Sequence, residues 1–316
     1  MYRRLADVEI PLGRAGGPPL QLEVGFGDGA FWAAFGPTAK AEAGGALTYV
    51  GVEVSSASIV RARERLVRAG LGDALLIKAN AEFVVANLVA PGALERVYVN
   101  FPDPWPKARH EESRLLRPAF LNMLAGRMAP GGEVWLTTDH EGYLEFARAG
   151  AAETGLFEAR EDDPPLAALQ TKYARKWREF GLPLRHWRFR LRHARPQAAL
   201  VKFLREEPLP HAIFSGTLPD LNLAPMPKIV ERHGASTVIL LEAFSGRDAL
   251  CVLARTEEPD LSQEVLIIAR SRPGGQVVAG LEAFGSPLVT PGVKAAVGAV
   301  ADWLAGRGLT LVQRSY

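Results

Sequence analysis

The 316-residue chain has a single cysteine, Cys251. That excludes an internal disulfide framework and any zinc cluster built on several cysteines, and no metal site is expected. No apolar run approaches the length of a membrane span. None follows Arg3 and Arg4 as the core of a signal peptide does. A soluble protein of the reducing cytoplasm is therefore expected, with no membrane association. Repeats and low-complexity tracts are missing too. Net charge is scarce, at +2, while 48% hydrophobic and 23% charged residues are ordinary for a globular protein. The length suits roughly two domains.

What charge there is lies unevenly. Residues 171–205 hold eleven basic side chains and one acidic. The chain on either side of them is net acidic. Within this segment His186-Trp187-Arg188-Phe189-Arg190-Leu191-Arg192 alternates aromatic and basic residues. It reads as an edge strand with one cationic face, and the interleaving points to nucleic acid. The preceding acidic stretch, Ala159 to Pro165, reads as a loop.

The first 160 residues alternate strand and helix patterns. Leu20–Val24 is an alternating strand that runs into Gly25-Phe26-Gly27-Asp28-Gly29 and then a helical run from Ala30. Strand, glycine turn and helix form the nucleotide-binding opening of a doubly wound sheet. Gly25, Gly27 and Ala30 satisfy the dinucleotide pattern, which keeps NAD open. Asp28, at a helix start that should welcome anions, favours a cationic ligand over a pyrophosphate. Glu53 ends the second strand, where an acid binds ribose hydroxyls. Asn80 follows the third strand, within reach of an adenine edge. A mostly parallel α/β sheet with helices on both faces is expected.

The fourth strand leads into Phe101-Pro102-Asp103-Pro104-Trp105-Pro106-Lys107-Ala108-Arg109-His110. Three prolines in five residues forbid helix and continued strand. The result is a stiff loop carrying an acid, an aromatic and then cations, at the sheet edge where α/β proteins bind ligands. The next strand ends in Asp139. After a linker at Glu206–Pro210 the pattern changes to consecutive strands and one helix over 291–306, a small α+β module with no catalytic cluster. The expected division is 1–205 and 206–316.

These motifs resemble the bacterial tRNA (guanine-N7)-methyltransferases, which methylate guanine 46 in the tRNA variable loop. The family pattern E-I-G-x-G is matched by Glu23-Val24-Gly25-Phe26-Gly27, and G-x-E by Gly51-Val52-Glu53. The block F-P-D-P-W-x-K-x-R-H is Phe101 through His110, T-D is Thr138-Asp139, and T-x-[FY]-E is Thr171-Lys172-Tyr173-Ala174. The proline block is highly specific, and the match spans about two-thirds of the chain.

The resemblance implies a Rossmann-like, S-adenosylmethionine-dependent methyltransferase acting on tRNA, as a monomer or homodimer without a partner subunit. It places Glu23, Gly25, Gly27, Glu53 and Asn80 in the cofactor pocket, and Asp103 at the methyl donor and target base as the catalytic residue. It assigns Lys107, Arg109, Asp139, Thr171, Lys172, Tyr173 and Ala174 to the guanosine and surrounding tRNA. Two positions depart from the pattern: Asn80 replaces the common Asp, and Ala174 the usual Glu. The region after 205 lies outside the common core, although some thermophilic members carry a similar extension. A dehydrogenase and a non-enzymatic RNA-binding protein on the same fold are the alternatives.

Overall fold

A computed structural model describes residues 2–3, 8–105, 112–181, 183–193, 209–218, 226–246, 248–259, 261–284 and 287–316. The chain divides into two compact units, Met1–Val201 and Lys202–Tyr316.

The first unit runs β1 (Tyr2–Arg3), β2 (Leu20–Val24), α1 (Ala30–Glu42), β3 (Thr48–Glu53), α2 (Ser56–Arg68), β4 (Leu75–Lys78), α3 (Ala81–Asn87), β5 (Leu94–Asn100), α4 (Pro118–Ala125), β6 (Met128–Thr138), α5 (Glu141–Thr154), β7 (Phe157–Asp162), α6 (Lys172–Glu179) and β8 (Arg185–Leu191). The strands form one sheet in the order β1-β4-β3-β2-β5-β6-β8-β7. Only β8 runs against the others. This is the expected doubly wound, mostly parallel sheet.

Register explains how the helices seat. Glu23, Gly51, Tyr98, Trp135 and Arg188 are partners in one row across five strands, so they share a face. α1 lays Phe31, Trp32 and Phe35 on that face. Trp32 stacks on Tyr49 at 3.9 Å, and Phe35 lies 5.6 Å from Tyr98 and 5.9 Å from Trp135 between ring centroids. Gly51 is small by necessity: a Cβ there would lie 2.6 Å from the Phe26 ring. The opposite row, Leu22, Val50, Val97, Val134 and Phe189, is wholly apolar and buried.

Two readings of the basic region change. Residues 157–162 form a strand rather than a loop, and β8 lies between β6 and β7 rather than at the edge. The physical reason is charge pairing across the two strands. Arg185 bonds Glu161 at 2.7 Å, Arg188 pairs with Asp162 at 2.9 Å and Arg192 with Glu158 at 3.5 Å. Arg188 also covers the Trp135 ring at 4.2 Å. An acidic strand and a basic strand, each unpromising alone, satisfy one another.

The second unit contains β9 (His211–Ser215), β10 (Ile229–His233), β11 (Ser236–Ser245), β12 (Ala249–Glu257), β13 (Ser262–Arg272), β14 (Gln276–Leu281), α7 (Pro291–Ala305) and β15 (Thr310–Ser315). It is a seven-stranded antiparallel sheet, ordered β10-β11-β12-β13-β14-β9-β15. Alternate residues such as Val238, Leu250, Val252, Ile267 and Val277 meet Val293, Val297, Val300 and Leu304 of α7. Sequence periodicity marked five of these strands. β9 and β10 were missed, being short and lying next to the proline-rich stretches before 211 and before 229.

Candidate active site

A cavity of about 1040 Å³ opens beyond the carboxyl ends of β2, β3, β4 and β5. Its wall includes Glu23, Gly25, Gly27, Asp28, Glu53, Asn80, Asn100, Phe101, Asp103, Trp105, Thr171, Lys172 and Tyr173. Residues far apart in sequence are thus collected because parallel strands all point their ends the same way.

Gly25 and Gly27 take φ of 69° and 56°, conformations open to glycine and costly for other residues. The turn is already internally bonded. Gly25 N–H donates to the Val52 carbonyl at 2.8 Å, Gly27 N–H to Glu53 Oε2 at 3.1 Å, Gly29 N–H to the Phe26 carbonyl at 2.9 Å and Ala30 N–H to Asp28 Oδ1 at 3.3 Å. A pyrophosphate cradle needs free N–H groups, and these four amides are already engaged. Asp28, whose charge first suggested a cationic ligand, is paired with Arg65 at 2.7 Å. The argument against NAD therefore rests on the occupied amides, not on Asp28.

Glu23 is almost wholly buried, and the Tyr49 hydroxyl donates to its Oε2 at 2.6 Å. Burial pushes its carboxyl up from 4.5 to about 8, opposed by the Tyr49 hydrogen bond and helped by the charges of Asp28 and Glu53. Glu53 accepts from Val54 and Ser55 N–H at 2.8 and 2.9 Å through Oε1. Oε2 accepts only from Gly27 among the described residues, which leaves it a lone pair for a ligand hydroxyl. Asn80 caps α3, its Oδ1 accepting from Glu82 N–H at 2.9 Å, and the residue stands on the cavity wall.

The Asp103 loop is held in an unusual shape. Phe101 and Trp105, on either side of Pro102-Asp103-Pro104, have φ of 53° and 40°. Such left-handed backbone at non-glycine residues costs about 1–3 kcal/mol each and gathers at functional sites. Phe101 N–H still bonds the Thr137 carbonyl of β6 at 2.8 Å, so the loop departs directly from the sheet. Its ring lies 6.4 Å from that of Tyr173 at the start of α6. Thr171 caps that helix, its Oγ1 accepting from Ala174 N–H at 3.2 Å.

Other expected site residues fall elsewhere. Asp139 follows β6, is half-buried and is not part of the cavity wall. Ala174 is fully buried and offers no side-chain surface to a ligand. Lys107 and Arg109 lie outside the described residues. Sequence reasoning missed Tyr49, Asn100 and Arg114. Only Asn100 carried a signal, directly preceding the proline loop.

A model described as "putative methyltransferase" matches residues 18–186. The tRNA (guanine-N(7)-)-methyltransferase of Deinococcus radiodurans is 44% identical over 304 residues, 94% of this chain and 92% of the relative. The chain belongs to the tRNA (guanine-N7)-methyltransferase family. The Thermus thermophilus member is 43% identical, over 99% of this chain and 97% of its own. That similarity extends through the second unit. The Mycobacterium avium member aligns with 52% of this chain and 62% of its own, at 38% identity. Among the described residues of this methyltransferase-family chain, no helix is long and apolar enough to cross a membrane.

Proposed function

We propose that the chain transfers a methyl group from S-adenosylmethionine to N7 of a tRNA guanine, at position 46 of the variable loop. The observation that carries this reading is one cavity walled by Glu23, Glu53, Asn80 and Asp103 with Tyr173 beside it. Residues 1–205 act as the methyltransferase domain and 206–316 as an extension, in a cytoplasmic monomer or homodimer that needs no partner subunit.

The residues fit a cationic adenosine cofactor. Four carboxylates, Glu23, Asp28, Glu53 and Asp103, line the cavity, Asp28 being paired with Arg65, and the glycine turn has no vacancy for a pyrophosphate among the amides described above. Glu23 counters the ligand's positive charge, Glu53 takes the ribose hydroxyls and Asn80 meets the adenine edge. Gly25 and Gly27 allow close approach. Bound there, S-adenosylmethionine supplies an electrophilic methyl carbon on a cationic sulfur.

Guanine N7 has a free lone pair on the major-groove edge, so no residue must remove a proton. Catalysis rests on positioning and electrostatics. Asp103 stabilises the positive charge that develops on the purine. Thr171, Lys172 and Tyr173 hold the guanosine, with Asp139, Lys107 and Arg109 toward the surrounding tRNA. Nucleoside analysis for 7-methylguanosine after incubation with tRNA tests the reading. Methylation independent of the variable-loop guanine refutes the position, and no 7-methylguanosine refutes the reaction.

The RNA approach is carried by α6. Arg65, Gln170, Lys172, Arg175 and Lys176 line a groove of about 310 Å³ with Asp28 and Glu179, and Asp28 and Lys172 also wall the cavity. Arg185 and Arg188 of β8, and Arg192 just after it, are instead paired with β7 acids. Replacing Lys172 and Arg175 with Ala is expected to reduce the salt slope of tRNA binding by about one to two phosphate contacts. Replacing Arg188 should leave the slope unchanged. A slope that responds to Arg188 and not to the α6 pair places the RNA elsewhere.

A further inference from the structure

We propose that Arg114 is a positioning residue for methyl transfer, its guanidinium fork holding the Asp103 loop in reactive shape. The proposal rests on the functional reading above.

The loop is tied to the sheet at one end, where Phe101 N–H bonds the Thr137 carbonyl. Prolines 102 and 104 donate no backbone N–H, and the left-handed turns at Phe101 and Trp105 take the chain out of any ladder. Its carbonyls need outside donors. Arg114 supplies them: Nε donates to the Pro104 carbonyl at 2.9 Å and Nη2 to the Trp105 carbonyl at 3.2 Å. These are the two carbonyls immediately after Asp103. Strain at Trp105 is thus held by a bond to that same residue.

Arg114 is itself firmly seated. It is only 7% exposed, rare for arginine. Its guanidinium lies 4.9 Å from the centre of the Phe146 ring on α5. Two residues on, Leu116 N–H donates to the buried Tyr143 hydroxyl of the same helix at 3.3 Å. The loop's shape is therefore set from α5, which follows directly on β6. Two donors in a rigid plane suit two consecutive carbonyls, and a lysine ammonium cannot reproduce that fork. Because the reaction depends on placement, a displaced Asp103 slows the chemical step even when the cofactor is bound.

The test compares Arg114→Lys and Arg114→Met with wild type. Three readouts are needed: the single-turnover methyl-transfer rate at saturating cofactor and tRNA, the Kd for S-adenosylhomocysteine, and hydrogen exchange of the peptide covering 101–105. The expected result is a rate lowered about tenfold in Arg114→Lys and about thirtyfold in Arg114→Met, with Kd within about twofold and faster exchange in the loop. A merely structural role lowers rate and cofactor affinity in step, and that outcome overturns the proposal. So does an Arg114→Lys rate within about threefold of wild type. If Arg114→Met does not fold, Arg114→Lys decides alone. A wild-type chain that methylates no tRNA refutes the functional reading instead. Loop exchange then decides the Arg114 part by itself, with unchanged exchange overturning it.

Discussion

Asp103→Ala is expected to lower the single-turnover methyl-transfer rate at least about a hundredfold, or about 2.7 kcal/mol of transition-state stabilisation. The carboxylate stands on the cavity wall between two prolines, in a backbone strained at both ends. That rigidity is what a reaction without proton abstraction needs. The purine becomes cationic as the methyl arrives, and a fixed negative group lowers the energy of that change without having to reorganise. Asp103→Asn keeps the shape and loses the charge, so its rate falls between the two. S-adenosylhomocysteine binding should weaken far less than the rate, since Glu23, Glu53 and Asn80 remain. A rate for Asp103→Ala within about threefold of wild type refutes the assignment.

The second expected effect is on the pH dependence of cofactor binding. The Glu23 carboxyl sits at about 8 in the folded protein because it is buried. At pH 6 it is protonated, and a cationic ligand must drive the proton off. Affinity for S-adenosylmethionine therefore rises with pH, by up to about fiftyfold between pH 6 and pH 8, and levels off above that. Calorimetry in buffers of different ionisation heat should detect nearly one proton released at pH 6 and little at pH 9. Glu23→Gln should abolish the release and flatten the profile. Unchanged proton release in that variant assigns the linkage to another group.

The unliganded protein shows the opposite trend from the same residue. A carboxyl raised from 4.5 to about 8 binds its proton more tightly in the native state. Its contribution to stability is full below about pH 4.5 and is lost as pH rises through about 8. His186 acts in the other direction. Burial lowers it to about 4, so its contribution is full above about pH 6.5 and is lost as pH falls toward 4. Glu23→Gln should therefore flatten the stability of the unliganded protein between about pH 4.5 and pH 8, leaving the loss from His186 below about pH 6.5 in place, which thermal melts across pH would show.

Much of the fold was legible in local pattern. The alternation of Leu20–Val24, the glycine turn and the helix after it need only short-range rules, because period and glycine content specify backbone conformation locally. The same holds for β14 and for α7, which begins at Pro291 behind the Thr290 cap. The proline block announced a stiff loop for equally local reasons. Glu53 and Asn80 were expected at the ends of parallel strands, where ligands bind, and both stand on the cavity wall.

Other features depended on partners distant in sequence. β7 looked like an acidic loop because only β8, some 25 residues away, supplies the arginines that make it a strand. The same pairing took Arg185, Arg188 and Arg192 out of the count of cations open to RNA. Asp28 lost its apparent ligand role to Arg65, 37 residues on. The protonation of Glu23 required knowing that α1 and the Tyr49 hydroxyl enclose it. Arg114 was one arginine among many until its fork met the carbonyls of Pro104 and Trp105. Sequence by itself determined most of the elements and which side chains stand at the strand ends, since these follow from local conformation. Only tertiary structure decided which charges are spent on one another and which remain for chemistry, because that balance depends on burial and on contacts the chain order does not contain.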